Sequence, residues 1–274
     1  MHVAVLGLGE AGRAYARDLL AAGVTVSAYD PDAEAVANAI ESAPGLLLAD
    51  SEDAAVADAE LVISLVTAAC ATGALEAVLR GRSVDGRLFA DLNTTSPDLK
   101  AALAEAAAGS GVAFADVAVM APVARAGLRT PLLVSGAGAA HVSDMLRKLD
   151  VPVEDAGEEA GAAARLKLLR SVFMKGLAGL VLEGLTAAAR TGRSESIGWM
   201  RDQMAAELGP DGAAFVDHLV ESTLVHAGRR AHEMDDVAAY LDTLGTPGWM
   251  TAGTRSWLHA LAAGEVDAPE IPPP

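Results

Sequence analysis

The chain opens on a strand, a glycine turn and a helix, and no other stretch constrains its fold as tightly. The apolar run His2-Val3-Ala4-Val5-Leu6 leads directly into Gly7-Leu8-Gly9-Glu10-Ala11-Gly12, and alanine-rich sequence with helical spacing follows over residues 11–22. Each glycine serves a different purpose. Gly7 permits a tight turn, Gly9 lets backbone approach a pyrophosphate, and Gly12 lets helix and strand pack closely. The helix start then offers free N–H groups and a partial positive charge to phosphates. A second strand, predicted over residues 24–29, ends in Asp30, about twenty residues beyond the glycines, where a carboxylate accepts hydrogen bonds from ribose hydroxyls. A carboxylate there repels a 2′-phosphate, and no arginine occurs in Asp30-Pro31-Asp32, so NAD(H) is favoured over NADP(H). The competing reading is that Asp30 only caps the helix beginning at Pro31.

The first half continues in the same alternation. Short apolar runs at residues 61–66, 87–91, 112–119 and 132–135 are separated by helical segments at 32–42, 97–108 and 139–149, the pattern of a parallel sheet covered on both faces. Ser96-Pro97 is a helix start, with serine as cap and proline at the first helical position. From about Glu158 no strand pattern remains, and helices are predicted at 161–189, 194–208, 213–230, 234–244 and 249–263. The expected organisation is a doubly wound, mainly parallel α/β domain of Rossmann type over residues 1–156. An all-α domain follows over 157–267, and a Pro-rich, disordered tail over 268–274.

Composition removes several function classes. Twenty Lys and Arg stand against 37 Asp and Glu, a formal charge of −17, whereas a nucleic-acid binder needs a basic surplus to neutralise phosphates. One cysteine, Cys70, excludes a disulfide framework and a cysteine-rich zinc site, and reads as buried rather than nucleophilic. The six histidines show no metal-ligand spacing, so no metal is expected. The hydrophobic fraction of 52% raises a membrane question, but Lys167, Arg170, Lys175 and Glu183 interrupt the longest apolar stretch. With no charged leader before the first strand, a soluble, cytoplasmic protein is expected. Trp199, Trp249 and Trp257 read as core or subunit interface, and a structural role is expected for His226 and His232.

One exception stands out in this acidic chain. Between Glu159 and Glu183 there is no carboxylate, yet Arg165, Lys167, Arg170 and Lys175 fall there. Lys167, Ser171 and Lys175 align at i, i+4 and i+8 on a helix, with Arg170 beside them. Such a stripe at a domain junction points to an anionic substrate, and a lysine among cations can have its pKa lowered for acid/base work. The alternative is a solvated face or lysine stems lying along packed surface.

These stretches together resemble the β-hydroxyacid dehydrogenase superfamily, which includes 3-hydroxyisobutyrate and 6-phosphogluconate dehydrogenases. Residues 7–12 are similar to its nucleotide turn, and Val62-Ile63-Ser64-Leu65-Val66 to its fourth strand, whose exit, here Leu65, Val66 and Thr67, borders the cofactor. Asp91-Leu92-Asn93-Thr94-Thr95-Ser96-Pro97 resembles the family stretch Asp-x-Ser-Thr-x-Ser-Pro, and Asp116-Val117-Ala118-Val119 falls at the Asp-x-Pro-Val substrate loop. By the family pattern Lys-x-x-x-Asn, Lys167 stands at the catalytic lysine and Ser171 at the substrate-positioning Asn. Met120-Ala121-Pro122 replaces the Ser-Gly-Gly that grips the substrate carboxylate in relatives. The run from His226 to Met234 resembles a C-terminal domain of unassigned function.

The resemblance implies a homodimeric oxidoreductase moving a hydride between nicotinamide and a small, anionic hydroxy or keto substrate. Lys167 is then the general acid/base, with Ser171 beside it. Asn93, Thr94, Met120, Arg170 and Lys175 would face the substrate. The alternatives are an imine reductase or a decarboxylating hydroxyacid dehydrogenase on the same fold, and, outside enzymes, a nucleotide-binding sensor or scaffold without turnover.

Overall fold

In a computed structural model the described residues are 1–80, 86–193 and 195–266. Ser194 and the tail at 268–274 lie outside them. The described chain divides into two compact units, residues 1–167 and 168–274, with the division inside one long helix.

The first unit is a sheet with helices on both faces. Its strands are β1 (His2–Leu6), β2 (Thr25–Tyr29), β3 (Leu47–Leu48), β4 (Leu61–Ser64), β5 (Leu88–Asp91), β6 (Ala113–Val119), β7 (Leu132–Ser135) and β8 (Val153–Asp155). Its helices are α1 (Glu10–Ala21), α2 (Ala33–Ser42), α3 (Glu52–Val56), α4 (Ala71–Leu79), α5 (Pro97–Ala108), α6 (Val123–Ala126) and α7 (Ala139–Arg147). The sheet order is β3-β2-β1-β4-β5-β6-β7-β8. Strands β1 to β6 are parallel, β7 runs antiparallel to β6, and β8 pairs parallel to β7.

Alternate residues of β1 show why the strands read as continuous apolar runs. Val3 and Val5 pack with Tyr15 and Leu19 of α1 and Leu146 of α7 on one face. Ala4 and Leu6 pack with Leu75 of α4, Leu103 of α5, Phe89 and Phe114 on the other. Both faces are buried, so no polar alternation survives. Local chemistry sets the helix starts: the Ser96 hydroxyl accepts the Leu99 N–H at 3.2 Å, ahead of Pro97. Asp32, not Asp30, caps α2, accepting the Glu34 N–H at 2.9 Å.

The long helix α8 (Ala162–Arg190) begins in the first unit and continues into the second, which adds α9 (Glu195–Glu207), α10 (Gly212–Thr243) and α11 (Trp249–Ala262). One core of this unit joins Ala178, Val181, Leu182 and Leu185 of α8 to Val216, Leu219 and Val220 of α10. A second centres on Met234, Val237, Leu241 and Leu258. The two helices expected at 213–230 and 234–244 are one element, bent at His226 (φ −122°, ψ 22°). Arg230 reaches back across the bend, donating to the hydroxyls of Thr223 and, at 3.0 Å, Ser222.

By length and composition α8 could cross a membrane: an 18-residue window has mean hydropathy 1.5, and 28% of it is buried. Two of its charged residues are engaged by other helices, however. Lys175 pairs with Glu233 of α10 at 2.7 Å, and Glu183 accepts the Trp257 indole N–H at 2.8 Å. Trp199 and Trp249 are exposed rather than core residues. Cys70, expected to be buried, is exposed in the 3₁₀ turn Ala68–Cys70 that follows β4.

Candidate active site

The register places every proposed cofactor loop on one edge of the sheet. Leu6 pairs with Tyr29 on one side and Ser64 on the other, and Ser64 pairs with Asp91. The carboxyl ends of β1, β2, β4 and β5 are therefore level, and the chain changes direction across the sheet between β1 and β4. Ligands of open α/β sheets bind at such a switch point.

The glycine turn is built for a close approach. Gly7 has φ +92°, and a Cβ on it would lie 2.5 Å from the Leu65 carbonyl oxygen. A Cβ on Gly12 would lie 1.8 Å from the Gly7 oxygen. Gly9 differs: a Cβ there would meet nothing within 4 Å, so the backbone above the turn faces open space. No side chain caps α1, so the first-turn N–H groups that include Glu10 and Ala11 are left for a ligand. The Asp30 carboxylate locks the turn to β2, accepting the Leu8 N–H at 2.6 Å and the Asp32 N–H at 2.9 Å. Each oxygen keeps lone-pair capacity for a ribose hydroxyl. Leu65 and Val66 are half-buried and Thr67 is exposed at the same edge. These residues fit a dinucleotide: bare backbone and helix N–H groups for phosphates, and an acid for the ribose.

A shallow cavity of about 360 Å³ beside the end of β2 is lined by Tyr29, Pro31, Ser51, Glu52, Asp53 and Arg80. Arg80 is held there by Asp53 at 2.7 Å, and this contact holds the Asp53 carboxyl below its ordinary range.

Further along the same edge, the loop after β5 meets the start of α8. Lys167 Nζ donates to the exposed Thr94 hydroxyl at 3.2 Å. Asn93 is buried, its amide donating to Ser64 Oγ at 2.9 Å while its Oδ1 has no protein partner among the described residues. Met120 packs with Ala118, Leu133 and Ala163, against the first turn of α8.

Beneath this contact lies a buried ionic row that sequence reasoning does not assign. Ser64, Asp91, Asp116 and Ser135 are register partners across β4, β5, β6 and β7. Lys100 of α5, 1% exposed, places Nζ 3.2 Å from both Asp91 Oδ2 and Asp116 Oδ1 and donates to the Asp91 carbonyl at 2.7 Å. Asp91 Oδ1 accepts the Asn93 N–H at 3.0 Å. Asp116 Oδ2 accepts the Ala164 N–H at 3.0 Å, and Ser135 Oγ accepts the Ala163 N–H at 3.0 Å. The free N–H groups of the first turn of α8 are thus capped from the sheet. Burial pushes the Asp91 carboxyl up; Lys100 and the Asn93 N–H oppose the shift. The available signal is Lys100 itself, which shares the buried face of α5 with Leu103 and Ala107.

The rest of the cationic stripe is largely neutralised. Arg165 pairs with Glu159 at 2.8 Å. In the second unit Lys175 donates to Ser171 Oγ at 3.0 Å and pairs with Glu233, an acid that arrives from α10 rather than from the stripe's own helix. Arg170 is exposed. Among the described residues no group of three or more His, Cys, Asp or Glu could hold a metal ion.

A doubly wound sheet with a glycine-rich phosphate turn at its switch point defines an NAD-binding domain of the oxidoreductase type. The chain belongs to the family described as the NAD binding domain of 6-phosphogluconate dehydrogenase, matched over residues 2–154, and so to the β-hydroxyacid dehydrogenases. Residues 196–261 match a domain of unknown function, in agreement with the C-terminal helical domain expected from sequence. A 3-hydroxyisobutyrate dehydrogenase of Pseudomonas aeruginosa is 30% identical over 204 residues, covering 71% of this chain and 66% of that protein. The structure of a conserved hypothetical protein from Sinorhizobium meliloti is 30% identical, with TM-score 0.75 over 97% of this chain and 90% of that one. A 3-hydroxyisobutyrate dehydrogenase from Salmonella typhimurium, 20% identical, shares the fold with TM-score 0.79 over 98% of this chain and 97% of that one.

Proposed function

We propose that the protein is an NAD(H)-dependent oxidoreductase acting on a small, anionic hydroxy or keto substrate, with Lys167 as the general acid/base. The observation that carries this reading is the 3.2 Å contact of Lys167 Nζ with Thr94, on the sheet edge that also holds the glycine turn. When bound, the nicotinamide accepts a hydride from a carbinol carbon or gives one to a carbonyl carbon. Lys167 takes the hydroxyl proton as the carbinol is oxidised and returns it in the reverse direction. Thr94 holds the amine in place through its hydroxyl. Asn93, with its amide committed to Ser64, offers its free carbonyl to a donor on the cofactor carboxamide or the substrate. Asp30 favours NAD(H), and Arg80, the basic residue lining the cavity beside it, is occupied by Asp53. Arg170 and Ser171 orient the anionic group.

The same proposal includes a homodimer in the cytoplasm. The exposed apolar residues Leu166, Leu169, Phe173 and Leu180 along α8 support the dimer, and light scattering on the full chain tests it.

The deciding experiment measures NADH oxidation and NAD⁺ reduction across a panel of small hydroxy and keto acids with the wild-type protein and Lys167→Ala. A loss of about 10³-fold or more in kcat, with NADH affinity held within twofold, is expected for the variant. Near wild-type turnover by Lys167→Ala overturns the assignment. Stoichiometric NADH binding without turnover on the whole panel would make the protein a sensor instead.

A further inference from the structure

The contacts under the site close into a ring. From Lys100 one arm runs through Asp91 to the Asn93 N–H, and so to Thr94. The other runs through Asp116 to the Ala164 N–H, one helical turn before Lys167. The arms rejoin where Lys167 Nζ meets Thr94 Oγ1. Lys100, 1% exposed, therefore closes the ring on the side opposite the contact of Lys167 with Thr94.

We propose that Lys100 is a positioning residue for Lys167: its buried charge balances Asp91 and Asp116, and that balance fixes both the start of α8 and the loop carrying Thr94. The proposal rests on the reading of Lys167 as the acid/base. Two buried carboxylates on neighbouring strands repel, and one cation 3.2 Å from each offsets that repulsion while each accepts a backbone N–H group. The Asp116 carboxyl group caps α8 at its electropositive start, so charge at this place bears directly on the helix. Without Lys100 the pair carries an unopposed negative charge or takes up a proton. Either change alters the cap, and with it the place and charge state of an amine one turn further along the helix.

A structural role alone would predict lower stability and nothing specific at Lys167. The proposal predicts a change in Lys167 chemistry that restored charge balance reverses. The test labels the intact protein with acetic anhydride between pH 6 and 10 and reads Lys167 by peptide mass spectrometry, with thermal melting and NADH fluorescence titration alongside. Lys100→Met is expected to lower Lys167 labelling at pH 8 at least fivefold and move its pH midpoint upward, with NADH affinity within twofold of wild type. Lys100→Met combined with Asp116→Asn restores the buried net charge and keeps an acceptor for Ala164. That variant is expected to recover labelling to within twofold.

Unchanged Lys167 labelling in folded Lys100→Met overturns the proposal, as does a loss that persists undiminished in the double variant. Should Lys100→Met not fold, Asp116→Asn serves in its place: it removes one of the two charges facing Lys100 and keeps an acceptor for Ala164. It is expected to shift the charge balance the opposite way and raise Lys167 labelling at pH 8 at least twofold, and no change overturns the proposal. Labelling requires no substrate, so a negative result here is separate from failure of the acid/base reading, which Lys167→Ala kinetics decides.

Discussion

Gly161 and Pro97 are in backbone contact: a Cβ on Gly161 would lie 2.7 Å from the Pro97 carbonyl oxygen. Gly161 also has φ +92°, a conformation that side chains resist. This is where the approach to α8 lies on the start of α5, and it brings Lys167 within reach of Thr94. Gly161→Ala is therefore expected to destabilise the protein by about 2 kcal/mol or more, from left-handed strain plus overlap with backbone that cannot swing aside. Its effect on kcat should exceed its effect on NADH affinity. Denaturant unfolding and NADH titration check both.

Asp30 gives a second test. Its carboxylate holds Leu8 and Asp32 through two N–H groups and is the acid proposed for the ribose. Asp30→Asn keeps one acceptor and removes the charge. NADH affinity should fall about tenfold, the scale of one charge-assisted hydrogen bond, and the NADPH:NADH affinity ratio should rise by at least as much. Fluorescence titration with both nucleotides measures this; an unchanged ratio would return Asp30 to a purely structural role.

Lys175 should matter less than its place in the stripe implies. Its charge is already answered by Glu233 at 2.7 Å, with the Lys175 side chain 13% exposed. Lys175→Met is expected to change KM for the best panel substrate less than threefold, whereas Arg170→Ala should raise it about tenfold, the scale of one charge-assisted contact. Steady-state kinetics on that substrate separates the two.

The second unit carries its own acid sensitivity. Arg201 grips Asp217 through two hydrogen bonds, of 2.7 and 2.5 Å, with the Arg201 side chain 9% exposed. The guanidinium holds the Asp217 carboxyl below its ordinary value. A carboxyl depressed in the folded state contributes stability above its unfolded pKa, about 3.9, and that stability drains as pH falls through the lower folded value. Arg201→Met should cost about 1–3 kcal/mol at pH 7 and flatten the stability profile below pH 4. Melting curves from pH 7 down to 2.5 read both effects.

Much of the first unit is legible in the sequence because its signals are local. The apolar runs, the glycine spacing and Ser96-Pro97 each act within a few residues, and β1, α5 and the turn at Gly7 stand where the sequence predicts them. Strands β3 and β8 escape such a reading. They have two and three residues, and β3 is exposed, so neither carries the apolar run by which a buried strand is recognised. The helix runs on through residues 231–233, where the sequence suggests a gap, and bends instead at His226, inside a predicted helix and with no proline beside it to mark the place. The ionic row is invisible for a different reason. Lys100, Asp116 and Ala164 are separated by 16 and 48 residues, and only strand pairing makes them neighbours. Glu233 likewise reaches Lys175 from 58 residues away, so a stripe with no acid among its neighbours in sequence is not a stripe without acids in the fold.

The row from Ser64 to Ser135 ends before the chain reaches Met120-Ala121-Pro122. Those three residues leave β6 beyond its last anchored position, and the Met120 N–H is tied to the Pro131 carbonyl at 2.9 Å. Met120 itself packs on Ala163 in the first turn of α8, and Leu128, buried with Tyr15 and Leu19, ties the far end of the same connection to Asp18 of α1. The parts that would choose a substrate therefore share supports with the parts that hold Lys167. A protein engineer looking for new acids has freedom at the exposed Pro122, Ala124, Arg125 and Ala126, while a change at Met120 or Leu128 would be felt by the scaffold as well.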